Sequence, residues 1–396
     1  MRLKTEMKDG DRKDKQVLVL RWLNFWQYAI LAVVAPFLPL YFSNQGYSSS
    51  QIGFLMVIGP FVASLVQPMW GYVSDRLQAV KAIIFVLWIL AIASSAVLFH
   101  AGSNYVLTLV FVLALYFFFQ PSMPLVDSIS VQSASRRGIS YGSVRLFGSM
   151  GYTMISLTGG AILALLGGIT RLPYLLWAVW AIPLLLLIFL KDEPAEGGGM
   201  TLKSLGAIFK NKSFLWFLVL VFIISVPHRL NDVMLGLYMK ELGATDSMVG
   251  WAWALAAAVE IPVFALLGRY LHKIHEFALL GIVGLLYALR WLIYYVTDEP
   301  WVLLFLQAGA ALTFAVFWLV AMHYVARVLP PELGATGFSL LSMVYLGLAG
   351  MSGGLIGGSL NDLYGGESMY LFASLVSLIG GVLFLGTHYL SRRRNQ

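Results

Sequence analysis

The chain has 396 residues, of which 59% are hydrophobic and only 11% charged, with a formal net charge of +7 and a mean hydropathy of +0.81. A soluble domain carries about 25% charged residues, so a water-soluble enzyme is excluded, and apolar runs beyond the roughly 18 residues that mark a membrane helix recur along the whole length. Cysteine is absent, which removes disulfides, thiolate catalysis and Cys-ligated metal centres.

Residues 1–16 hold Arg2, Lys4, Lys8, Arg12, Lys13 and Lys15 with no apolar stretch, and read as a cytosolic tail rather than a cleavable signal peptide. Hydropathy then predicts spans at 17–42, 51–73, 80–99, 105–131, 140–167 and 172–190, and six more at 213–239, 248–268, 277–296, 301–326, 336–360 and 368–390. The expected fold is an all-α integral membrane protein with twelve transmembrane helices in two pseudo-symmetric six-helix bundles, residues 17–190 and 213–390. Between them lies a linker, 191–212, with Pro194 and Gly197 to Gly199, and a short tail, 391–396, closes the chain. Of the 26 Lys and Arg, Arg171 and Lys240 fall on the far side, Arg21, Arg145, Arg229 and Arg290 lie inside spans, and the other 20 lie on the side of the N-terminus. That asymmetry is a positive-inside signal: it predicts a multi-pass protein of the cell (plasma or inner) membrane with linker and both termini cytoplasmic.

An internal repeat supports the division. At an offset of 197 residues Tyr41, Gly46, Gly53 and Gly71 map onto Tyr238, Gly243, Gly250 and Gly268, and Ile52 onto Val249. Duplicated halves are how carriers build two bundles that rock about a central site.

A charged side chain at the bilayer centre costs roughly 2.5–3.5 kcal/mol on insertion scales. Seven need an account: Arg21, Asp127, Arg145, Arg229, Asp232, Glu260 and Arg290. One reading is structural ion pairs that hold helices in register. The other follows from depth. Asp127 lies nine residues before Arg136 and Arg145 eight after Arg137, so both sit about 12–14 Å in, near the midplane, on consecutive helices where a polar solute can bridge them. Glu260 lies nine residues before Arg269 among Ala, Val, Ile and Pro; desolvation favours a neutral carboxyl group, the property of a proton carrier. Arg290, in the next span, is its candidate counter-charge, either as a tuning group or as a permanent bridge.

Pro227, His228, Arg229, Asn231 and Asp232 crowd the seventh span, and polar helix segments are tolerated where they line protein or water. In the first span Asn24, Gln27 and Tyr28 are interleaved with Trp22, Phe25 and Trp26, a mix suited to hydrogen bonding and stacking on a small organic molecule, although interface anchoring explains Trp22 equally well. His323 reads as a proton shuttle or as a packed core residue. His272 and His275 have no partners at a metal-binding spacing and read as solvated. Gly353, Gly354, Gly357 and Gly358 in the eleventh span and Gly148, Gly151, Gly159 and Gly160 in the fifth allow close helix approach. No phosphate-binding loop or dinucleotide fingerprint is present, so no cofactor is expected and the energy source is a gradient.

The stretch Gly71-Tyr-Val-Ser-Asp75-Arg76-Leu-Gln-Ala-Val-Lys81 after the second span, with the duplicated twelve-span layout, resembles the major facilitator superfamily, in which Gly71, Asp75 and Arg76 would form the conformational gating motif. Gln78 stands where that motif usually has Gly, and the second-half equivalent, Gly268 to Lys273, lacks the acid. Within the superfamily the chain resembles the phenylpropionate-permease branch and the lactose-permease-like proton symporters, through Pro36-Phe-Leu-Pro-Leu-Tyr41, Gln67-Pro-Met-Trp-Gly71, Tyr141-Gly-Ser-Val-Arg145-Leu-Phe-Gly148, Val259-Glu-Ile261 and Leu289-Arg-Trp291. The resemblance implies that Asp127 and Arg145 hold solute, that Tyr152 stacks on it, and that Glu260, Arg290 and His323 handle the proton. The symporters' Glu one turn after the His is Ala326 here, followed by Arg327, which leaves Glu260 as the carrier.

The expectation is therefore proton-coupled uptake of a small organic solute, such as an aromatic carboxylate, sugar or nucleoside, by alternating access. Asn24, Tyr28, His228, Arg229 and Asp232 are expected to help bind it. The alternative is a proton-driven efflux antiporter. Gly142, Gly151, Gly159 and Gly160 fit the glycine frame of that group's fifth-span signature, but its central Gly-Pro is Ile155-Ser156. Solute, protons and the lipid bilayer are the expected partners, with no nucleic acid, no metal and a monomeric state.

Overall fold

The computed structural model describes residues 2–77, 79–137, 139, 141–190, 211–267, 275–329 and 334–394. Among them are helices and turns and no strand. In order these are α1 (Arg2–Asn44), α2 (Ser49–Leu77), α3 (Val80–His100), α4 (Tyr105–Phe119), α5 (Ser122–Arg136), α6 (Tyr141–Leu166) and α7 (Leu172–Phe189). After the linker, which lies outside the described residues as far as 210, come α8 (Lys212–Glu241), α9 (Asp246–Leu267), α10 (Glu276–Val296), α11 (Pro300–Leu306), α12 (Phe314–Val328), α13 (Gly334–Ser342), α14 (Ala349–Tyr364) and α15 (Gly366–Arg394). Eleven stretches of the described residues are long and apolar enough to cross a membrane, and α9, at 22 residues, is a further helix of spanning length.

Three expected spans are interrupted. The fourth is α4 and α5, split at Gln120 and Pro121, because proline lacks the N–H a continuous helix needs and its ring clashes with the preceding turn. The tenth is α11 and α12, joined by a 3₁₀ turn at Gln307–Ala311, and the eleventh is α13 and α14, joined by a π-turn at Met343–Leu348; both are local departures that mark functional or strained sequence. In the opposite direction, α1 runs back through the expected tail to Arg2, because Lys, Glu, Arg and Met there are good helix formers whatever their polarity.

By its contacts the chain forms two compact units, Met1–Gly46 with Val62–Gly198, and Tyr47–Phe61 with Gly199–Gln396. They differ from the expected bundles in the first turns of α2, which group with the second unit. The reason is local: a Cβ at Gly53 would overlap the carbonyl of Gly354, and one at Gly358 the carbonyl of Ser49. Asp362 then accepts hydrogen bonds from the free backbone N–H groups of Ser49 (2.9 Å) and Ser50 (2.8 Å), capping the start of α2.

The repeat is visible as geometry in the two halves of the sequence. Gly46 and Gly243 close the turn after the first helix of each half with φ of +85° and +88°, a conformation that favours glycine. The hydroxyl of Tyr41 donates to the Phe99 carbonyl at 3.2 Å, and that of Tyr238 to the Tyr294 carbonyl at 3.4 Å. Ser48 Oγ and Thr245 Oγ1, also 197 residues apart, accept from the N–H groups of Gln51 and Met248.

Glycine also sets the helix contacts. In the first unit α6 lies against α1, and a Cβ at Gly151 would run into the backbone of Phe25. In the second, Gly281 and Gly284 of α10 meet Gly381 of α15, and Gly353 and Gly357 seat α14 on α8. Large apolar side chains such as Leu165, Phe189 and Val106 are left 69–88% exposed, as lipid-facing surface requires. Gly151→Val is expected to cost about 1–3 kcal/mol through a backbone clash that cannot be relieved by a rotamer change. Gly386→Ala, where nothing lies within 4 Å, should leave the melting temperature of the detergent-solubilised chain unchanged.

Candidate functional site

In the first unit the polar residues gather where α1, α5 and α6 meet. The Pro121 break lets α5 start afresh and carries Asp127 on its first two turns. Arg145, on α6, lays its guanidinium 3.7 Å from the centroid of the Tyr28 ring of α1, a cation–π contact strengthened by desolvation. Gly148, one turn further along α6, makes this possible: a Cβ there would strike both the Tyr28 ring and Arg145 Nη1. Asp127 and Arg145 both act electrostatically on Tyr28. No ion pair joins Arg145 to Asp127 among the described residues, and Arg145 Nη1 is buried without a hydrogen-bond partner. Tyr152 stands half-buried two turns along α6.

Asn24 is fully buried. Its amide donates to Ser130 Oγ at 2.9 Å and the Leu20 carbonyl at 3.0 Å, tying α1 to α5. Its Oδ1 and both amide atoms of Gln27, also fully buried, have no partner. Arg76 is exposed in the last turn of α2. Gly71 and Asp75 lie on the same helix, with side chains outside those described, while Gln78, Gly268, Arg269, His272 and Lys273 lie outside the described residues.

The second unit carries a denser set. On α8, Arg229 Nη1 donates to Asp232 Oδ2 at 2.6 Å, and His228 Nε2 lies 3.7 Å from Asp232 Oδ1. His228 Nδ1 shares a hydrogen bond with the Tyr287 hydroxyl of α10 at 3.2 Å. The imidazole stacks on Phe314 with ring centroids 4.9 Å apart and planes 5° from parallel, and Tyr345 of the π-turn lies 6.0 Å away. Arg229 sits over the Tyr345 ring at 5.5 Å. The expected polar patch thus folds into a wall of rings and opposed charges.

Glu260 on α9 is partly exposed and makes no hydrogen bond or ion pair among the described residues. Arg290 and Asp232 both act on it electrostatically. A permanent Glu260–Arg290 bridge is therefore not formed. Arg290, 5% exposed, donates instead to Gln307 Oε1, to Thr313 Oγ1 at 3.4 Å and to the Tyr294 hydroxyl at 3.3 Å, and lies 4.7 Å from the Trp291 ring.

His323 is not brought to this group. Its Nδ1 lies 3.2 Å from Oε1 of Glu276, and Arg327 Nε donates to the same oxygen at 2.8 Å. Glu276 opens α10 fourteen residues before Arg290, about 21 Å along the helix. His275, expected to be solvated, is exposed, and its ring packs 4.1 Å from that of His388.

Sequence reasoning missed Tyr287, Phe314 and Tyr345 around the α8 patch, Gln307 and Thr313 around Arg290, and Glu276 beside His323. Only Gln307 carried a signal, as a lone amide in an apolar span. The rings look like ordinary lipid-facing or core residues until the fold assembles them.

The MFS_1 like family model matches residues 17–372. The chain is 25% identical over 368 residues to the maltose permease of Geobacillus stearothermophilus, covering 88% of this chain and 89% of that one. It is 26% identical over 321 residues to the probable 3-phenylpropionic acid transporter of Escherichia coli strain K12, covering 77% and 82%. Its fold is that of the crystal structure of the nucleoside transporter NupG, with a TM-score of 0.82 at 17% identity over 94% of this chain and 98% of that one. The chain accordingly belongs to the MFS_1 like family of the major facilitator superfamily, and is a multi-pass membrane transporter rather than an enzyme.

Proposed function

We propose that this transporter takes up a small organic solute together with a proton, by alternating access, as a monomer in the cell inner membrane with both termini cytoplasmic. The observation that carries the reading is Glu260: a carboxylate with no ion pair or hydrogen bond among the described residues, on a spanning helix, within electrostatic reach of an Arg held by neutral groups. A carboxylate that is neither locked in an ion pair nor bathed in water is free to gain and lose a proton as its surroundings change.

In this reading Asp127, Arg145 and Tyr152 bind solute with help from Tyr28 and Asn24. The His228, Arg229 and Asp232 group contributes a second polar and aromatic surface. Arg145 supports the role because it has a spare donor and a guanidinium 3.7 Å from the centroid of the Tyr28 ring, suited to a hydroxyl pair or a carboxylate. Arg290 tunes Glu260, His323 contributes at the Glu276 end of α10, and Gly71, Asp75 and Arg76 gate the helix ends. The relatives' printed substrates, maltose and 3-phenylpropionic acid, and the nucleosides of the structural neighbour name the classes to try.

Lightly buffered cells overproducing the protein and given 3-phenylpropionate, maltose or uridine separately should alkalinise the medium with one of them. Silence with all three, together with gradient-dependent extrusion of a preloaded dye, would point to export instead. Glu260→Gln is expected to abolish accumulation of the responding solute against its gradient while retaining exchange of internal for external solute; accumulation at the wild-type level would remove Glu260 from the coupling. Arg145→Lys should lower uptake by at least about tenfold, since an ammonium cannot reproduce the planar two-pronged contact. Unaltered uptake in radiolabel assays would return Arg145 to a packing role.

A further inference from the structure

Arg290 is a guanidinium that cannot be deprotonated, placed in the body of a membrane helix at 5% exposure. Arg229, by contrast, has Asp232 at 2.6 Å. Every described hydrogen-bond partner of Arg290 is neutral: Gln307 Oε1, Thr313 Oγ1 and the Tyr294 hydroxyl, with Nε unpartnered. The rings of Trp291 and Tyr294, 4.7 and 5.6 Å away, add attraction but no negative charge. A buried charge is normally retained only when paired, so this arrangement holds a cation in waiting.

The holder is built by the 3₁₀ turn Gln307–Ala311, which breaks the span at this point and packs against α9, the helix of Glu260. Thr313 Oγ1 donates to the Gly309 carbonyl at 2.8 Å, which leaves its lone pairs for Arg290. Gly309 lies alongside: a Cβ there would only just touch Arg290 Cδ and Nε, at 3.5 and 3.8 Å. A glutamine accepts a hydrogen bond from the guanidinium without neutralising it. The full positive charge stays available to a carboxylate that becomes ionised nearby.

We infer that Arg290 has two docking positions, and that Gln307 is the positioning residue that holds it in one and yields it to Glu260 when Glu260 loses its proton. In the protonated state Glu260 is neutral and the guanidinium rests on Gln307, Thr313 and Tyr294, as seen here. On deprotonation one proton leaves the Glu260 carboxyl for water, no other covalent bond changes, and the guanidinium moves onto the new carboxylate. Gln307 competes with Glu260 for Arg290 and thereby sets how readily the proton is released. The other ionisable groups facing this region are His228, Arg229 and Asp232 of α8, Tyr287 and Tyr294 of α10, Tyr345 of the π-turn and Tyr370 of α15, whose ring packs on Trp291 and Tyr294; of these Asp232 is already engaged by Arg229. The inference rests on the reading of Glu260 as the proton carrier.

Infrared pH titration of the purified full-length protein tests it without a transported solute. The protonated-carboxyl band of Glu260 is identified as the one lost in Glu260→Gln. In Gln307→Met, which keeps the volume and removes the acceptor, Arg290 is released to Glu260 and the band's midpoint should move acid by about one pH unit, a tenfold change in proton concentration. In Gln307→Glu the guanidinium is trapped at position 307 and the midpoint should move alkaline. Opposite shifts from one position are not what a loss of packing produces, and wild-type melting temperatures would confirm that both variants fold. A Glu260 band whose midpoint is the same in wild type and both variants would overturn the role of Gln307 while leaving Glu260 in place. No titrating band lost in Glu260→Gln would overturn the Glu260 reading, and this inference with it.

Discussion

Hydrocarbon offers no water to a charged or hydrogen-bonding group, so each ionised side chain within a span has to be satisfied by the protein itself. The interior of this transporter is organised around that demand. Arg145 rests on the face of Tyr28, Arg229 on an acid one turn away on its own helix, and Arg290 on three neutral oxygens and two rings. The remaining features, including the broken helices and the glycine contacts, serve to bring these partners within reach.

The breaks illustrate the point. A continuous helix at 105–131 would present Asp127 on a rotation fixed by everything before it; the interruption at Gln120 and Pro121 releases α5 to its own orientation beside α1 and α6. The 3₁₀ turn at Gln307–Ala311 likewise directs Gln307 and Thr313 at one guanidinium, although they are six residues apart and would sit on different faces of a regular helix. Irregular backbone at membrane depth is expensive unless enclosed by protein, and here it is placed where side-chain chemistry needs it.

The two halves of the sequence use the same loop and capping geometry for different chemistry. The turn glycines, the Tyr hydroxyls bonded to a carbonyl at the end of the third helix, and the Ser48 and Thr245 caps repeat at an offset of 197 residues. The polar interiors have diverged. In the first unit Arg145 lies over Tyr28 and Arg21 over Phe147, whereas the second carries His228, Arg229 and Asp232 beside stacked rings, Arg290, and a Glu260 that makes no ion pair among the described residues. The shared framework is made of turns and of hydroxyl bonds to the backbone, and the two interiors differ in the charged and aromatic side chains they carry.

Composition and hydropathy by themselves determined that the protein is helical and lives in a membrane, because a run of some twenty apolar residues has one stable state in lipid. The offset-197 repeat and the short motifs around Asp75, Arg145 and Glu260 were enough to place it in its superfamily, and the cost of burying charge was enough to single out Arg21, Asp127, Arg145, Arg229, Asp232, Glu260 and Arg290. Which of these charges meet was decided only by tertiary structure. Sequence adjacency of spans suggested Arg290 for Glu260, yet Arg290 rests on Gln307, Thr313 and Tyr294. The family resemblance grouped His323 with them, yet it pairs with Glu276, about four helical turns from Arg290 along α10. The physical reason is that hydropathy reports depth along the membrane normal, while pairing depends on helix rotation and on breaks such as Pro121 and Gln307–Ala311, which a one-dimensional pattern does not encode.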